Sequence, residues 1–110
     1  MKVDKKGQTT TIKDTQGNIQ SFLEKVTHEH HGFKTQNLIL DITNDRNVTL
    51  KDIKAFLNLS RIHRNEKKSF VLVAENIDFN EVPIQLIVVP SLLEAHDIIE
   101  MEEIERDLGF

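Results

Sequence analysis

The chain has no cysteine, tryptophan or tyrosine. Without cysteine there is no disulfide framework and no thiol chemistry, and a zinc site has only histidine and carboxylates to draw on. Of its four glycines, Gly7, Gly17, Gly32 and Gly109, none opens a glycine-rich loop after an apolar run. That leaves no P-loop and no dinucleotide fingerprint, because both present consecutive backbone amides to phosphate. No apolar run approaches the ~20 residues that span a bilayer. The N-terminal Met1-Lys2-Val3-Asp4-Lys5-Lys6 lacks the apolar core of a signal peptide. The expectation is a cytoplasmic protein with no membrane contact and no cofactor.

Basic residues are scarce in the C-terminal part. Residues 69–110 hold one, Arg106, against ten Asp and Glu, a balance of −9. Residues 1–68 hold thirteen Lys and Arg against eight Asp and Glu, a balance of +5, so the net charge is −4. An acidic C-terminal half argues against nucleic acid as a partner, because phosphate binding needs a net basic face. The two halves are expected to complement each other, either inside one domain or across a dimer.

What is present is ordinary for a globular chain: 110 residues, 38% hydrophobic and 29% charged, enough for one domain with a single core. Val3 and the run Thr9-Thr10-Thr11-Ile12 predict a short N-terminal hairpin. Asp4-Lys5-Lys6-Gly7 supplies its turn, and its threonines suggest a partly exposed antiparallel edge. Asn18 is a good helix N-cap. Ile19, Phe22, Leu23 and Val26 follow at the spacing of one buried helix face, and this helix should stop near Gly32.

Residues 37–42, 69–74 and 85–89 are nearly continuous in apolar side chains, as in parallel strands buried on both faces. Between the first two, residues 49–68 read as a helix capped by Thr49 with Asp52 at the third position. Leu50, Ile53, Phe56, Leu57 and Ser60 form its buried face. Residues 76–83 contain Ile77, Phe79 and Val82, and Asp78 with Glu81 predicts one helical turn. Ser91-Leu92-Leu93-Glu94 is a capping box that opens a helix to Leu108, with Gly109 past its end. Strands alternating with helices predict an α/β fold: a mostly parallel sheet with an N-terminal antiparallel hairpin and helices packed on the sheet.

Three constellations bear on chemistry. His28-Glu29-His30-His31-Gly32-Phe33 begins like the His-x-His-x-Asp-His motif of metallo-β-lactamase-type nucleases. Gly32 and Phe33 then stand where Asp and His are needed, so a metal-dependent hydrolase on His28, His30 and His31 is the weaker alternative. Ser60 and His63 lie three residues apart on one helix, without a Gly-x-Ser-x-Gly elbow. In the acidic tail, Glu102, Glu103 and Glu105 read as a solvated face. Ile98, Met101, Ile104 and Leu108 form an apolar stripe that either finishes the core or extends beyond it. Met101, Ile104, Leu108 and Phe110 are the candidate partner surface.

The order of elements resembles the STAS domain, the fold of anti-sigma-factor antagonists. Leu40-Asp41-Ile42-Thr43 is similar to that family's Asp-Leu-Ser strand end, and Pro90-Ser91-Leu92-Leu93-Glu94-Ala95 to its last strand-to-helix step. The residues from Val88 to Ala95 and the ending from Ile98 to Phe110 resemble a group of small bacterial STAS-like proteins of unassigned role. Some of those carry a ribonuclease Z label, to which the incomplete histidine motif lends nothing here. The resemblance implies a regulatory protein–protein interaction module without catalysis. Partner-switching members carry Asp-Ser-x-Gly at the start of the helix after the Asp-Leu-Ser strand and are phosphorylated on that serine. Here the segment reads Val48-Thr49-Leu50-Lys51-Asp52-Ile53, so the switch serine is missing and Thr49 is the only hydroxyl, a helix cap and candidate phospho-acceptor. The resemblance leaves three docking regions: loop 43–48, the start of the second helix, and residues 77–82. The expected partners are proteins, with the chain itself a monomer or homodimer; a small-ligand carrier is a further alternative, though no residue pattern marks a pocket.

Overall fold

A computed structural model describes residues 1–109. Its centre is a five-stranded sheet in the order β1 (Lys2–Lys6), β2 (Thr9–Lys13), β3 (Asn37–Asp41), β4 (Phe70–Val73) and β5 (Ile87–Val89). The β1–β2 pair is antiparallel and the other three pairings are parallel; those among β3, β4 and β5 follow from the apolar runs. The hairpin is tighter than expected. Asp4, Lys5 and Lys6 belong to β1, and the turn shrinks to Gly7-Gln8, with Lys6 opposite Thr9. Gly7 sits at φ +60°, the left-handed conformation that a two-residue hairpin loop asks of its first residue. The threonine strand is not an edge: β2 lies between β1 and β3, and Thr10 and Ile12 are buried. The exposed edge is β1, whose five residues all face solvent.

Side-chain alternation divides the core into two. Leu38, Leu40, Phe70 and Leu72 project to one face with Ile12. They meet Ile19, Phe22 and Val26 of α1 (Ile19–Glu29), Ile53 of α2 (Leu50–Lys54), Phe56, and Leu59 of α3 (Leu57–Asn65). Ile39, Val71 and Val73 project to the other face, where Ala95, Ile98 and Ile99 of α4 (Leu92–Asp107) cover them. Strands covered on both sides need apolar residues at every position, hence the continuous runs.

The helix ends follow the sequence. Asn18 Oδ1 accepts from Ser21 N at 3.1 Å. Ser91 Oγ accepts from Glu94 N at 3.2 Å and donates to Glu94 Oε2 at 3.0 Å. A 3₁₀ turn, Phe79–Glu81, carries the β4–β5 crossover, with Asp78 as its cap. The second helix departs from expectation: it breaks into α2 and α3 at Ala55-Phe56. There the amide of Ala55 is shared between the carbonyls of Lys51 and Asp52, and Phe56 N reaches Ile53 O at 3.1 Å. The tighter turn keeps Ile53, Phe56 and Leu59, spaced by three, on one buried line.

Candidate functional site

The histidines separate on folding. His28, in the last turn of α1, and His31, in the 3₁₀ turn that follows, are exposed, whereas His30 is buried. His30 faces His63 of α3, with Nε2 of His30 2.8 Å from Nδ1 of His63. Nε2 of His63 lies 2.7 Å from the carbonyl oxygen of Gln36. A carbonyl only accepts, so His63 donates from Nε2 and accepts at Nδ1, and His30 donates from Nε2. Burial lowers the pKa of both rings, that of His63 to about 4. For His30, Lys34 adds to the lowering; for His63, the Gln36 carbonyl opposes it.

His63 is therefore occupied at both nitrogens and has no free lone pair with which to deprotonate Ser60. Ser60 Oγ itself is buried without a hydrogen-bond partner. Among the described residues, no three or more His, Asp and Glu side chains converge as a metal site would need. The His30–His63 pairing was hidden in the sequence, since the two residues are 33 positions apart and on different helical elements.

At the opposite end of the sheet, Asp41 Oδ1 accepts from Thr43 N at 3.0 Å and Thr43 Oγ1 at 2.7 Å, closing the strand end into a turn. Asp14 is also buried there; its Oδ1 accepts from Gln16 N, while Oδ2 has no protein partner. Thr49 is exposed and caps α2 in a full capping box. Its Oγ1 accepts from Asp52 N at 3.2 Å, and Asp52 Oδ2 accepts from Thr49 N at 3.1 Å.

The C-terminal helix carries two unlike faces. At 100° per residue, Ala95, Ile99, Glu102 and Arg106 share the side toward the sheet. Past Ile99 the contacts become polar. Glu102 pairs with Arg64 at 3.3 Å, Glu103 accepts from Asn37 Nδ2, and Arg106 donates to Asn37 Oδ1 at 3.3 Å and Ser69 Oγ at 3.2 Å. Asn37 Oδ1 also accepts from Ser69 N at 2.9 Å. Glu102 and Glu103 are thus half-buried anchors, not a solvated face; Glu105 alone of the three is exposed. Ile98 joins the second core, while Met101, Ile104 and Leu108 are 61%, 54% and 66% exposed. Leu93, 73% exposed, aligns with them within about 80° of arc on the side away from the sheet. Phe110 lies outside the described residues.

A groove of about 600 Å³ runs along α2 and α3, lined by Lys54, Ala55, Leu57, Asn58, Arg61, Arg64, Asn65 and by Gln85 before β5. Three cations line it and no carboxylate does. Its residues recur every three or four positions, a spacing legible in the sequence, but the wall at Gln85 comes only from the fold. No helix among the described residues is long and apolar enough to cross a membrane. No protein-family model and no curated protein matches the chain.

Proposed function

We propose that this chain is a STAS-like protein–protein interaction module, regulatory and without catalysis, that engages protein partners through the outward face of α4. The carrying observation is the row Leu93, Met101, Ile104 and Leu108, which lies away from the sheet with each side chain more than half exposed. Helices on a globular domain bury their apolar face, and large apolar side chains gathered on an exposed face are the usual mark of a contact surface. The hairpin leading into a mostly parallel sheet, and the turn at Asp41 and Thr43 leading to a Thr49-capped helix, support the STAS reading. The occupied nitrogens of His63 support the non-catalytic part.

The test is affinity capture from a lysate of the source organism, with the unaltered chain and with the triple variant Met101→Glu, Ile104→Glu, Leu108→Glu. Substitutions serve better than truncation, because shortening α4 also removes Glu102, Glu103 and Arg106, which hold it to the sheet. A protein retained by the unaltered chain and lost from a folded variant supports the reading. Equal capture by both moves the contact to Thr49 and the loop 43–48. Turnover of a substrate, abolished by one point substitution, ends the non-catalytic reading.

A further inference from the structure

We infer that the chain assembles head to tail with copies of itself, the outward row of α4 on one copy seating in the α2–α3 groove of the next. The inference rests on the interaction reading above and gives that surface a definite occupant. The two surfaces are complementary in charge. The groove presents Lys54 and Arg61 with no acidic residue in its lining, while Arg64 beside them is already held by Glu102 and the Phe70 carbonyl. Asp97, exposed, lies within the row between Leu93 and Met101, and the exposed carboxylates of Glu100, Glu105 and Asp107 flank it. The helix has no lysine, and its one arginine, Arg106, is turned inward onto Asn37 and Ser69.

This opposition is left almost unused inside the molecule. The basic and acidic halves meet, among the described residues, in a single side-chain ion pair, Arg64 with Glu102. The groove belongs to the helices on one face of the sheet and the row to α4 on the other. They cannot reach each other within one chain. They can meet between chains.

Dimensions agree. From Lys54 to Asn65 the groove extends about 16 Å at 1.5 Å per residue, and the row from Leu93 to Leu108 about 22 Å. A volume of about 600 Å³ over that length leaves a cross-section of about 40 Å². That is wide enough for side chains in single file along the groove. Met101, Ile104 and Leu108 are the side chains that would enter, over Leu57, Ala55 and the alkyl stems of Lys54 and Arg61. Because the two surfaces differ, each copy keeps one of each unsatisfied, so the assembly grows until a ring closes or a filament forms.

Sedimentation of the full chain tests this with two variants at exposed positions. One alters the groove, Lys54→Glu with Arg61→Glu; Arg64 is spared because it also holds Glu102 and the Phe70 carbonyl. The other alters the row, Ile104→Glu with Leu108→Glu. The average mass of the unaltered chain should rise with concentration past twice the protomer mass and fall as salt is added. Each variant alone should remain at the protomer mass. An equimolar mixture should form particles of twice that mass and grow no further, since one intact row meets one intact groove and the remaining surfaces are both disabled. A chain that stays at the protomer mass, that stops at twice that mass, or whose growth survives the groove substitutions overturns the inference. If that chain nonetheless captures a different protein through an intact row, the interaction reading stands while self-assembly fails.

Discussion

His30 donates from Nε2 to Nδ1 of His63 across 2.8 Å, and His63 passes its own Nε2 hydrogen to the carbonyl of Gln36. Two neutral rings thereby join the end of α1 to α3 and to the start of β3. Both folded pKa values lie below the 6.5 of a free histidine. The unfolded chain therefore binds more protons than the folded one, and stability rises with pH through this range. The contribution is complete above about pH 6.5 and is lost progressively as pH falls toward about 4, the folded value of His63. Denaturant midpoints measured across that interval should fall with acidity, and His63→Leu should flatten the dependence. An unchanged slope in the variant would assign the acid sensitivity elsewhere.

Ser60 is buried with its hydroxyl unpartnered. An unmade hydrogen bond on a buried group costs about 1–3 kcal/mol, so removing the hydroxyl relieves that cost. Ser60→Ala should leave stability unchanged or raise it. A loss above about 1 kcal/mol in equilibrium unfolding would mean that the hydroxyl has a partner after all.

Leu72 is fully buried in β4, between β3 and β5 and under the α1–α3 layer. Leu72→Ala should cost ~2–5 kcal/mol by chemical denaturation. Ile84, 93% exposed, should lose less than about 0.5 kcal/mol on the same change. Similar values at both positions would contradict the sheet.

Asn37 joins β3 to β4 and to α4 through Ser69, Glu103 and Arg106. Asn37→Ala leaves the Ser69 amide and the Glu103 carboxylate short of partners, at a cost of about 1–3 kcal/mol. The release is local. Amides in the second half of α4 should exchange faster, while those around Ile99, held by apolar packing, change little. Uniform acceleration along the helix would show that the polar anchors and the apolar ones act as a single unit.

Thr49 is the cap of α2 and, on the STAS reading proposed above, the hydroxyl nearest the switch-serine position. As a cap it should tolerate Thr49→Ser and lose about 1 kcal/mol as Thr49→Ala, read from thermal or denaturant unfolding. A change in partner binding on Thr49→Ser, without a change in stability, would show a role beyond capping.

The strand positions were legible because both faces of the sheet are covered, which forces apolar residues at consecutive positions such as Leu38 to Leu40 and Phe70 to Val73. The caps Asn18, Thr49 and Ser91 were legible because each bonds an amide three residues on, a purely local relation. The break at Ala55-Phe56 was not. The residue types favour an unbroken helix, and only the need to keep Ile53, Phe56 and Leu59 against the sheet tightens the turn. Burial of the threonine strand is illegible locally for a related reason: Thr10 bonds Gln36, 26 residues away, at 3.3 Å, which satisfies its hydroxyl in an interior position.

By itself, then, the sequence determined the alternation of strand and helix, the capped helix ends, the charge asymmetry and the incompleteness of the histidine motif. All are relations between residues a few positions apart or properties of composition. Only the tertiary structure decided that α4 covers the face opposite α1–α3, that Glu102 and Glu103 anchor the helix while Met101, Ile104 and Leu108 face outward, and that His30 meets His63. Those outcomes depend on which surfaces the sheet brings together. A carboxylate or a leucine on a helix has the same local pattern whether a partner from a distant strand lies over it or water does.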